Sequence, residues 1–102
     1  MMTVITTMRV PAGSEEDWDS LIRQRFESAH DRPGWVSGQL LTPADSAETR
    51  VIVGTWRSRD DWEAWHNDPA FLEQRQRLEG IDAQQEPPTW YEVVAHAHAD
   101  NA

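Results

Sequence analysis

Two tryptophans and a histidine within one helical turn are the residues of this sequence best placed for chemistry. Trp62, Trp65 and His66 lie in the stretch SRDDWEAWHNDPAF, residues 58–71, of a chain with six tryptophans and one tyrosine. Aromatic side chains three residues apart share a helix face, which is typical of a core. His66 precedes a helix break at Asp68, where a cleft could open and an imidazole could act as a base near neutral pH. We expect Trp62 in the core and Trp65 in a cleft wall, and leave open whether His66 is a base or an exposed capping residue.

The other polar clusters indicate no metal and no nucleotide. His96 and His98 are two residues apart near the C-terminus, which provides too few ligands for a metal ion. The acidic residues at 15–17 and 60–61 fall at predicted helix starts, where carboxylates compensate the helix dipole. The sequence has no glycine-rich phosphate loop, no G-x-S-x-G elbow and no dinucleotide fingerprint. We therefore expect no metal and no cofactor.

Composition restricts the class of protein and its partners. The chain has 102 residues, enough for one core, and nine arginines against eighteen acidic residues give it a net charge of −9, which repels nucleic-acid phosphates and anionic lipids. Cysteine is absent, which excludes disulfides and thiolate chemistry, and no run approaches the roughly 18 apolar residues of a membrane span. We expect a soluble, cytoplasmic protein that binds neither nucleic acid nor membrane, with one domain at residues 1–102 and a frayed tail at about 97–102.

The periodicity of apolar residues predicts two helical regions and four strands. One helix follows Ser14, with a capping-box-like start, and a second follows Ser58 and restarts at Asp68 with a proline at its first position. The predicted strands are residues 3–10, 34–41, 49–56 and 89–96. The order β-α-β-β-α-β predicts an α+β, ferredoxin-like fold with both helices on one face of a four-stranded antiparallel sheet.

The second face of this sheet has no predicted cover. The first and third strands carry apolar residues on both sides, as Val4 against Ile5 and Val53 against Ile52 show. A sheet that is apolar on both faces packs against further structure. In a chain this small, the simplest cover for the second face is a second copy of the chain. We therefore expect a homodimer in which sheet faces sheet.

The stretches RPGWVSGQLL, TWRSRDDWEAWHNDPAF and TWYEVV resemble the antibiotic biosynthesis monooxygenase superfamily, over nearly the whole chain. The resemblance implies a dimeric α/β barrel of ferredoxin-like subunits, each with a ligand cleft between its helices and its sheet. Members of the family include cofactor-independent oxygenases of aromatic polyketides, haem-degrading enzymes and quinol oxygenases. The resemblance therefore implies a hydrophobic aromatic ligand and several possible activities.

This sequence departs from the residue patterns of the haem-degrading and the quinone-forming members, which weakens the expectation of either activity. The haem-degrading members carry an asparagine on the first strand, a tryptophan in the second helical region and, nine residues later, a histidine that ligates iron; these positions are Thr6, Trp65 and Gln74 here. Quinone-forming members carry an asparagine and a tyrosine where this chain has Asp61 and Phe71. An amide is not a common haem ligand, so we expect no haem binding through Gln74.

The resemblance leads us to expect a cofactor-independent monooxygenase that acts on a phenol or hydroquinone of polyketide-like character. Such a site needs burial, orientation and one or two groups for proton transfer. The expected catalytic residues are Thr6, Trp65 and His66, and the expected substrate contacts are Met8, Ile22, Phe26 and Phe71. Two alternatives remain: a non-catalytic dimer that binds a hydrophobic small molecule, and a haem-binding or haem-degrading variant in which His66 ligates iron from a shifted position.

Overall fold

A computed structural model describes residues 1–79 and 84–99. In these residues the chain forms five strands and three helices: β1 Met2–Arg9, α1 Glu15–Ala29, β2 Trp35–Leu41, β3 Thr49–Trp56, α2 Arg59–His66, α3 Pro69–Glu79, β4 Gln84–Gln85 and β5 Thr89–Glu92. The predicted order β-α-β-β-α-β is confirmed, with the second helical region divided in two as expected and with β4 as an additional short strand.

The strands form one antiparallel sheet in which β1 occupies a central position. β3 pairs with one side of β1 and also with β2, while β4 and β5 both pair with the other side of β1. This arrangement confirms the predicted α+β, ferredoxin-like fold.

The end of the chain differs from the prediction of a long last strand. The strand predicted over residues 89–96 ends at Glu92, which pairs with Met2, the first residue of β1. One further backbone hydrogen bond follows, from the Val93 N–H to the Met1 carbonyl oxygen at 3.0 Å. The stretch predicted as a polar connection contributes β4, which pairs with Met8 and Arg9. Residues 97–99 of the predicted tail are exposed and lack regular structure, and residues 100–102 lie outside the described residues.

The second helical region begins with the two predicted caps. The Ser58 hydroxyl accepts a hydrogen bond from the Asp61 backbone N–H at 3.2 Å, and the Asp68 carboxylate accepts one from the Ala70 backbone N–H at 2.9 Å. Pro69 then takes the first position of α3, where its missing N–H costs nothing. These caps fix the break that places His66 at the end of α2.

The capping box predicted at Ser14 is wrong. The Ser14 side chain makes no capping hydrogen bond, because its backbone (φ −105°, ψ 4°) is not in the extended conformation that Ser58 adopts. The carboxylate of Glu15 instead accepts the Gly13 backbone N–H, at 3.0 and 3.1 Å for its two oxygens.

The core lies between the sheet and the helices and consists of two clusters. One joins Met8 and Val10, at the end of β1, to Trp18 and Ile22 of α1. The other joins four buried residues from α1, β3, α2 and α3: Ala29, Trp56, Trp65 and Phe71. The two clusters are separated along α1, and the space between them is the cavity described below.

The opposite face of the sheet is partly exposed and carries a group of apolar side chains among threonines. Alternation along the strands places Ile5 of β1 and Val51 and Val53 of β3 on this face. Ile5 pairs with Val53, Val51 pairs with Leu41, and Tyr91 pairs with Thr3, which lies on the same face as Ile5. Leu41 and Tyr91 are 44% and 51% exposed. No described helix covers this face. None of the helices in the described residues has the length and apolar character that crossing a bilayer requires.

Candidate functional site

A cavity of about 470 Å³ lies between α1, the α2–α3 break and the sheet. Its volume falls within the roughly 300–1,000 Å³ of small-molecule sites. The lining includes all seven residues that the sequence singles out: Thr6, Met8, Ile22, Phe26, Trp65, His66 and Phe71. Five of the six tryptophans also line it. The structure thus brings the predicted residues together, and the roles assigned to them stay predictions.

The periodicity of strands and helices explains why these side chains of β1 and α1 line the same cavity. Thr6 and Met8 are two residues apart on β1, so both project from the face that the helices cover. Ile22 and Phe26 are four residues apart on α1 and so share one helix face. Thr6 is the polar side chain that β1 contributes to this lining.

Trp65 is both a core residue and a cavity wall. It is 3% exposed, and its ring meets that of Phe71 edge-on with the centroids 5.5 Å apart. The guanidinium carbon of Arg32 lies 5.0 Å from the Trp65 ring centroid, and Arg32 also forms an ion pair with Asp68. Trp65 is therefore held between the end of α1 and the α2–α3 break, as a rigid wall requires.

Trp62 is more exposed than the sequence led us to expect. It is only half-buried and packs at the margin of the second core cluster. Its ring lies 3.7 Å from that of His66 and meets the ring of Trp90 edge-on at 4.9 Å. Trp62 is therefore less buried than the core residue that the sequence predicted. Its side chain lies against the edge strand β5 instead of between α1 and the sheet.

His66 is held in one orientation by three contacts. Its Nδ1 lies 2.8 Å from the carbonyl oxygen of Trp62, and its ring lies between the rings of Trp62, at 3.7 Å, and Phe71, at 4.2 Å. Since a carbonyl only accepts hydrogen bonds, Nδ1 carries the proton and Nε2 keeps a lone pair. The histidine is half-buried in the cavity lining, so it is not the exposed capping residue that the sequence left open.

Burial is the main influence on the charge of His66. Burial lowers the pKa of His66 from 6.5 to about 4; the hydrogen bond to the Trp62 carbonyl opposes this, and the positive charges of Arg25 and Arg75 add to it. At neutral pH the imidazole is therefore uncharged. It presents a hydrogen-bond acceptor to the cavity.

Arg25 and Arg75 are cavity residues that the sequence did not indicate. The guanidinium carbon of Arg25 lies 4.8 Å from the ring centroid of Phe71, and its Nε is buried without a hydrogen-bond partner in the described residues. Burial and then the charge of Arg75 lower the pKa of Arg25 to about 10. The one signal available was spacing, since Arg25 is three residues after Ile22 and next to Phe26. The net charge of −9 gave no indication of a cavity with positive charges.

The histidine pair near the C-terminus lies apart from this cavity. The rings of His96 and His98 are 5.7 Å apart and both residues are exposed. Within residues 1–79 and 84–99, no group of three or more His, Asp or Glu side chains has the geometry to hold a metal ion.

Sequence comparison gives one family and one group of relatives. The sequence model of the family described as antibiotic biosynthesis monooxygenase matches residues 1–77. The chain is also 32% identical over 67 residues to a heme oxygenase (mycobilin-producing) of Mycobacterium tuberculosis. That match covers 66% of this chain and 64% of the relative, so the chain spans less than two thirds of the relative's length.

Comparison with solved structures shows the same fold. SnoaB, a cofactor-independent oxygenase from Streptomyces nogalater, superposes with a TM-score of 0.82 at 19% identity, over 93% of this chain and 94% of its own. A variant of MhuD with two manganese protoporphyrin IX molecules bound per active site superposes with a TM-score of 0.79 at 24% identity, over 97% of this chain and all of its own. At these identities the likeness concerns the fold.

Proposed function

Because the chain belongs to the antibiotic biosynthesis monooxygenase family, we propose that it is a cofactor-independent monooxygenase that acts on an aromatic phenol or hydroquinone. The observation that supports this most is the cavity, in which five tryptophans and several apolar side chains surround a few polar groups. This is the composition expected of a pocket for a flat, apolar ligand that a small number of hydrogen bonds orient.

In such a reaction the substrate itself supplies the electrons. One oxygen atom of O₂ enters the substrate, and the other leaves as water with two hydrogens of the substrate. A phenol that loses its proton in a water-poor cavity becomes the electron-rich species that reduces O₂. The protein has to bury the substrate, orient it and accept a proton.

The side chains of the cavity can be assigned to these tasks. Nε2 of His66 accepts the hydrogen bond, and then the proton, of the substrate hydroxyl. The imidazolium ion that burial disfavours forms only as the phenolate charge develops beside it, and the opposite charges stabilise each other. Trp65 and Phe71 form the walls against which the aromatic rings pack, with Met8, Ile22 and Phe26 opposite, and Thr6 supplies a hydroxyl at the sheet side.

Turnover of an anthrone tests this proposal. With dithranol, formation of the quinone and uptake of O₂ should exceed the rates without protein, and His66→Gln should lower the enzymatic part about 100-fold, the low end of general acid–base contributions. His30→Gln is the matched control, because His30 is exposed on the surface at the end of α1. Equal rates with and without protein, or equal rates for the two variants, would contradict the proposal.

Haem is the second candidate ligand, and the 32% identity to a heme oxygenase favours it. His66 fits part of what haem needs: its Nδ1–H is fixed by a carbonyl, which orients Nε2, and it is neutral. Arg25 and Arg75 line the cavity and could hold propionates, although the chain as a whole is acidic. The position that the family pattern gives to the iron ligand is Gln74, whose side chain lies outside the described residues. We keep the prediction that no tight haem complex forms.

The proposed assembly is a homodimer joined through the open sheet face. Leu41 and Tyr91 are exposed there beside the half-buried Ile5, Val51 and Val53, and a second copy of the same face would cover all of them. This arrangement leaves the cavity of each subunit accessible, because the cavity lies on the helix side of the sheet. A hydrophobic small-molecule binder without turnover would have the same dimer and the same cavity, so the anthrone assay separates it from the oxygenase. Action in the cytoplasm also remains part of the proposal.

A further inference from the structure

We propose that Arg25 and Arg75 form an anion subsite in the cavity, which binds an ionised oxygen, carboxylate or phenolate, of the aromatic ligand. This inference rests on the proposed function, because it takes the cavity to be the ligand site. It adds the class of substrate: an aromatic acid or an acidic phenol instead of a neutral hydrocarbon.

The charges that line the cavity have one sign. Among its described lining residues the ionisable side chains are Arg25, His66 and Arg75, and none is an aspartate or glutamate. This contrasts with the chain as a whole, which has eighteen acidic residues and nine arginines. His66 is neutral at physiological pH, so the two guanidinium groups are the charges that the described lining residues contribute.

Arg25 presents an unused donor. Its guanidinium carbon lies 4.8 Å from the centroid of the Phe71 ring, which fixes the end of the side chain inside the cavity. Its Nε–H is buried and has no acceptor in the described residues. A buried donor without a partner is costly in free energy, and a ligand oxygen at this position would satisfy it.

The proximity of a second cation strengthens the case for an anion. Burial and then the charge of Arg75 lower the pKa of Arg25, and the charges of both arginines add to the effect of burial in lowering the pKa of His66. An anion that contacts both guanidinium groups would offset the unfavourable effect of the Arg75 charge on Arg25. Charge-assisted hydrogen bonds from guanidinium groups are also among the strongest that proteins form.

The subsite has a consequence for the proposed chemistry. If the anion is the phenolate itself, the arginines stabilise the ionised form of the substrate and lower its pKa in the cavity, which offsets their unfavourable effect on the protonation of His66. If the anion is a carboxylate elsewhere on the ligand, the arginines orient the ring against Trp65. Both sources present the same ionised oxygen, and they can be separated with matched ligands.

Calorimetric titration with two pairs of probes at pH 8 tests the inference. The first pair is 2-naphthoate and its neutral methyl ester, and the second is 4-nitrophenolate and the neutral 4-nitroanisole. In the unchanged protein at least one anion should bind about tenfold or more tightly than its neutral partner. The pair that shows the preference identifies the source of the anion.

Three variants separate the subsite from general effects. Arg25→Gln and Arg75→Gln should each remove the preference for the anion and change binding of the neutral partner less than twofold. Arg23→Gln should retain the preference, because Arg23 is an exposed residue of the same helix and does not line the cavity. Arg75 lines the cavity but is an exposed residue. The Arg75→Gln protein should therefore fold even if Arg25→Gln disturbs the packing on Phe71.

The outcomes distinguish this inference from the proposed function. Equal binding of the anion and its neutral partner in both pairs, or a preference that survives in either Arg25→Gln or Arg75→Gln, would overturn the subsite and leave the cavity as a ligand site. Absence of binding for all four probes would overturn the subsite together with the proposed cavity.

Discussion

The imidazole of His66 is hydrogen-bonded through Nδ1 to the carbonyl oxygen of Trp62, 2.8 Å away, while its ring stacks on the indole of that same residue. One residue therefore fixes both the tautomer and the plane of the histidine. The arrangement depends on the i, i+4 spacing at the end of α2 and on the helix break that follows. This fixed orientation is the reason we propose His66 as the proton acceptor of the cavity.

The low pKa of His66 predicts a loss of stability in mild acid. The folded protein holds this histidine with a pKa of about 4 against 6.5 ordinarily, so the unfolded chain binds the additional proton between these values. The stability that neutral His66 contributes is complete above about pH 6.5 and falls as the pH decreases toward 4, by on the order of 2 kcal/mol.

Urea denaturation at pH 7 and pH 4.5 measures this effect. The unchanged protein and His30→Gln should lose stability by a similar amount between the two pH values, and His66→Gln should lose clearly less. The same loss in all three proteins would show that His66 titrates normally in the folded state.

Substitution of Trp65 should lower the stability of the protein more than substitution of Trp62. This is the reverse of the order expected from the sequence, which placed Trp62 in the core. Trp65→Ala removes an indole that is 3% exposed and should lower the free energy of unfolding by about 3–5 kcal/mol. Trp62→Ala removes a half-buried ring and should cost clearly less, while it releases His66 and so reduces turnover. Urea denaturation of both variants gives the order directly, and a larger loss for Trp62→Ala would contradict the structure.

The open sheet face predicts a dimer that a single charge disrupts. Light scattering at micromolar concentration should return twice the 11.7 kDa of the chain, and Val53→Asp should return the monomer, because an unpaired carboxylate would be buried in the interface. Leu72→Asp is the control, since Leu72 is 43% exposed on α3, on the helix side of the sheet. A monomer in the unchanged protein would refute the proposed assembly.

A haem titration tests the second candidate ligand. We expect no Soret shift that saturates at one haem per subunit and no haem breakdown with ascorbate, because Gln74 stands at the position that the family pattern gives to the iron ligand. A saturating shift that is lost in His66→Ala would make His66 the iron ligand and haem degradation the leading function.

The fold could be predicted from the sequence because its signals are local. Ser58, Asp68 and Pro69 mark the helix starts by side-chain chemistry alone, and β-branched residues mark β1 and β3. The capping of Ser14 could not be predicted, since the residue types fit a capping box and only the backbone angles exclude it. The end of β5 depends on its pairing with β1, which is a tertiary property.

The candidate site could be predicted in part, for similar reasons. The apolar lining follows from helix and strand periodicity, so Met8, Ile22 and Phe26 could be predicted as lining residues from the sequence. The two arginines could not be predicted as cavity residues, because Arg25 of α1 and Arg75 of α3 line the same cavity only through tertiary packing. The lack of acidic side chains among the described lining residues also results from tertiary packing. The relative burial of Trp62 and Trp65 likewise depends on packing against β5 and α1.

Isotope labelling under ¹⁸O₂ with protein freed of metal and haem tests the central claim most directly. The protein is treated with chelator, shown to lack Soret absorbance and then given an anthrone substrate. The account predicts oxygen-dependent turnover at the full rate, with one ¹⁸O atom in each quinone product and the second in water. Turnover that appears only after haem or a metal ion is added, or a product without ¹⁸O, would contradict it.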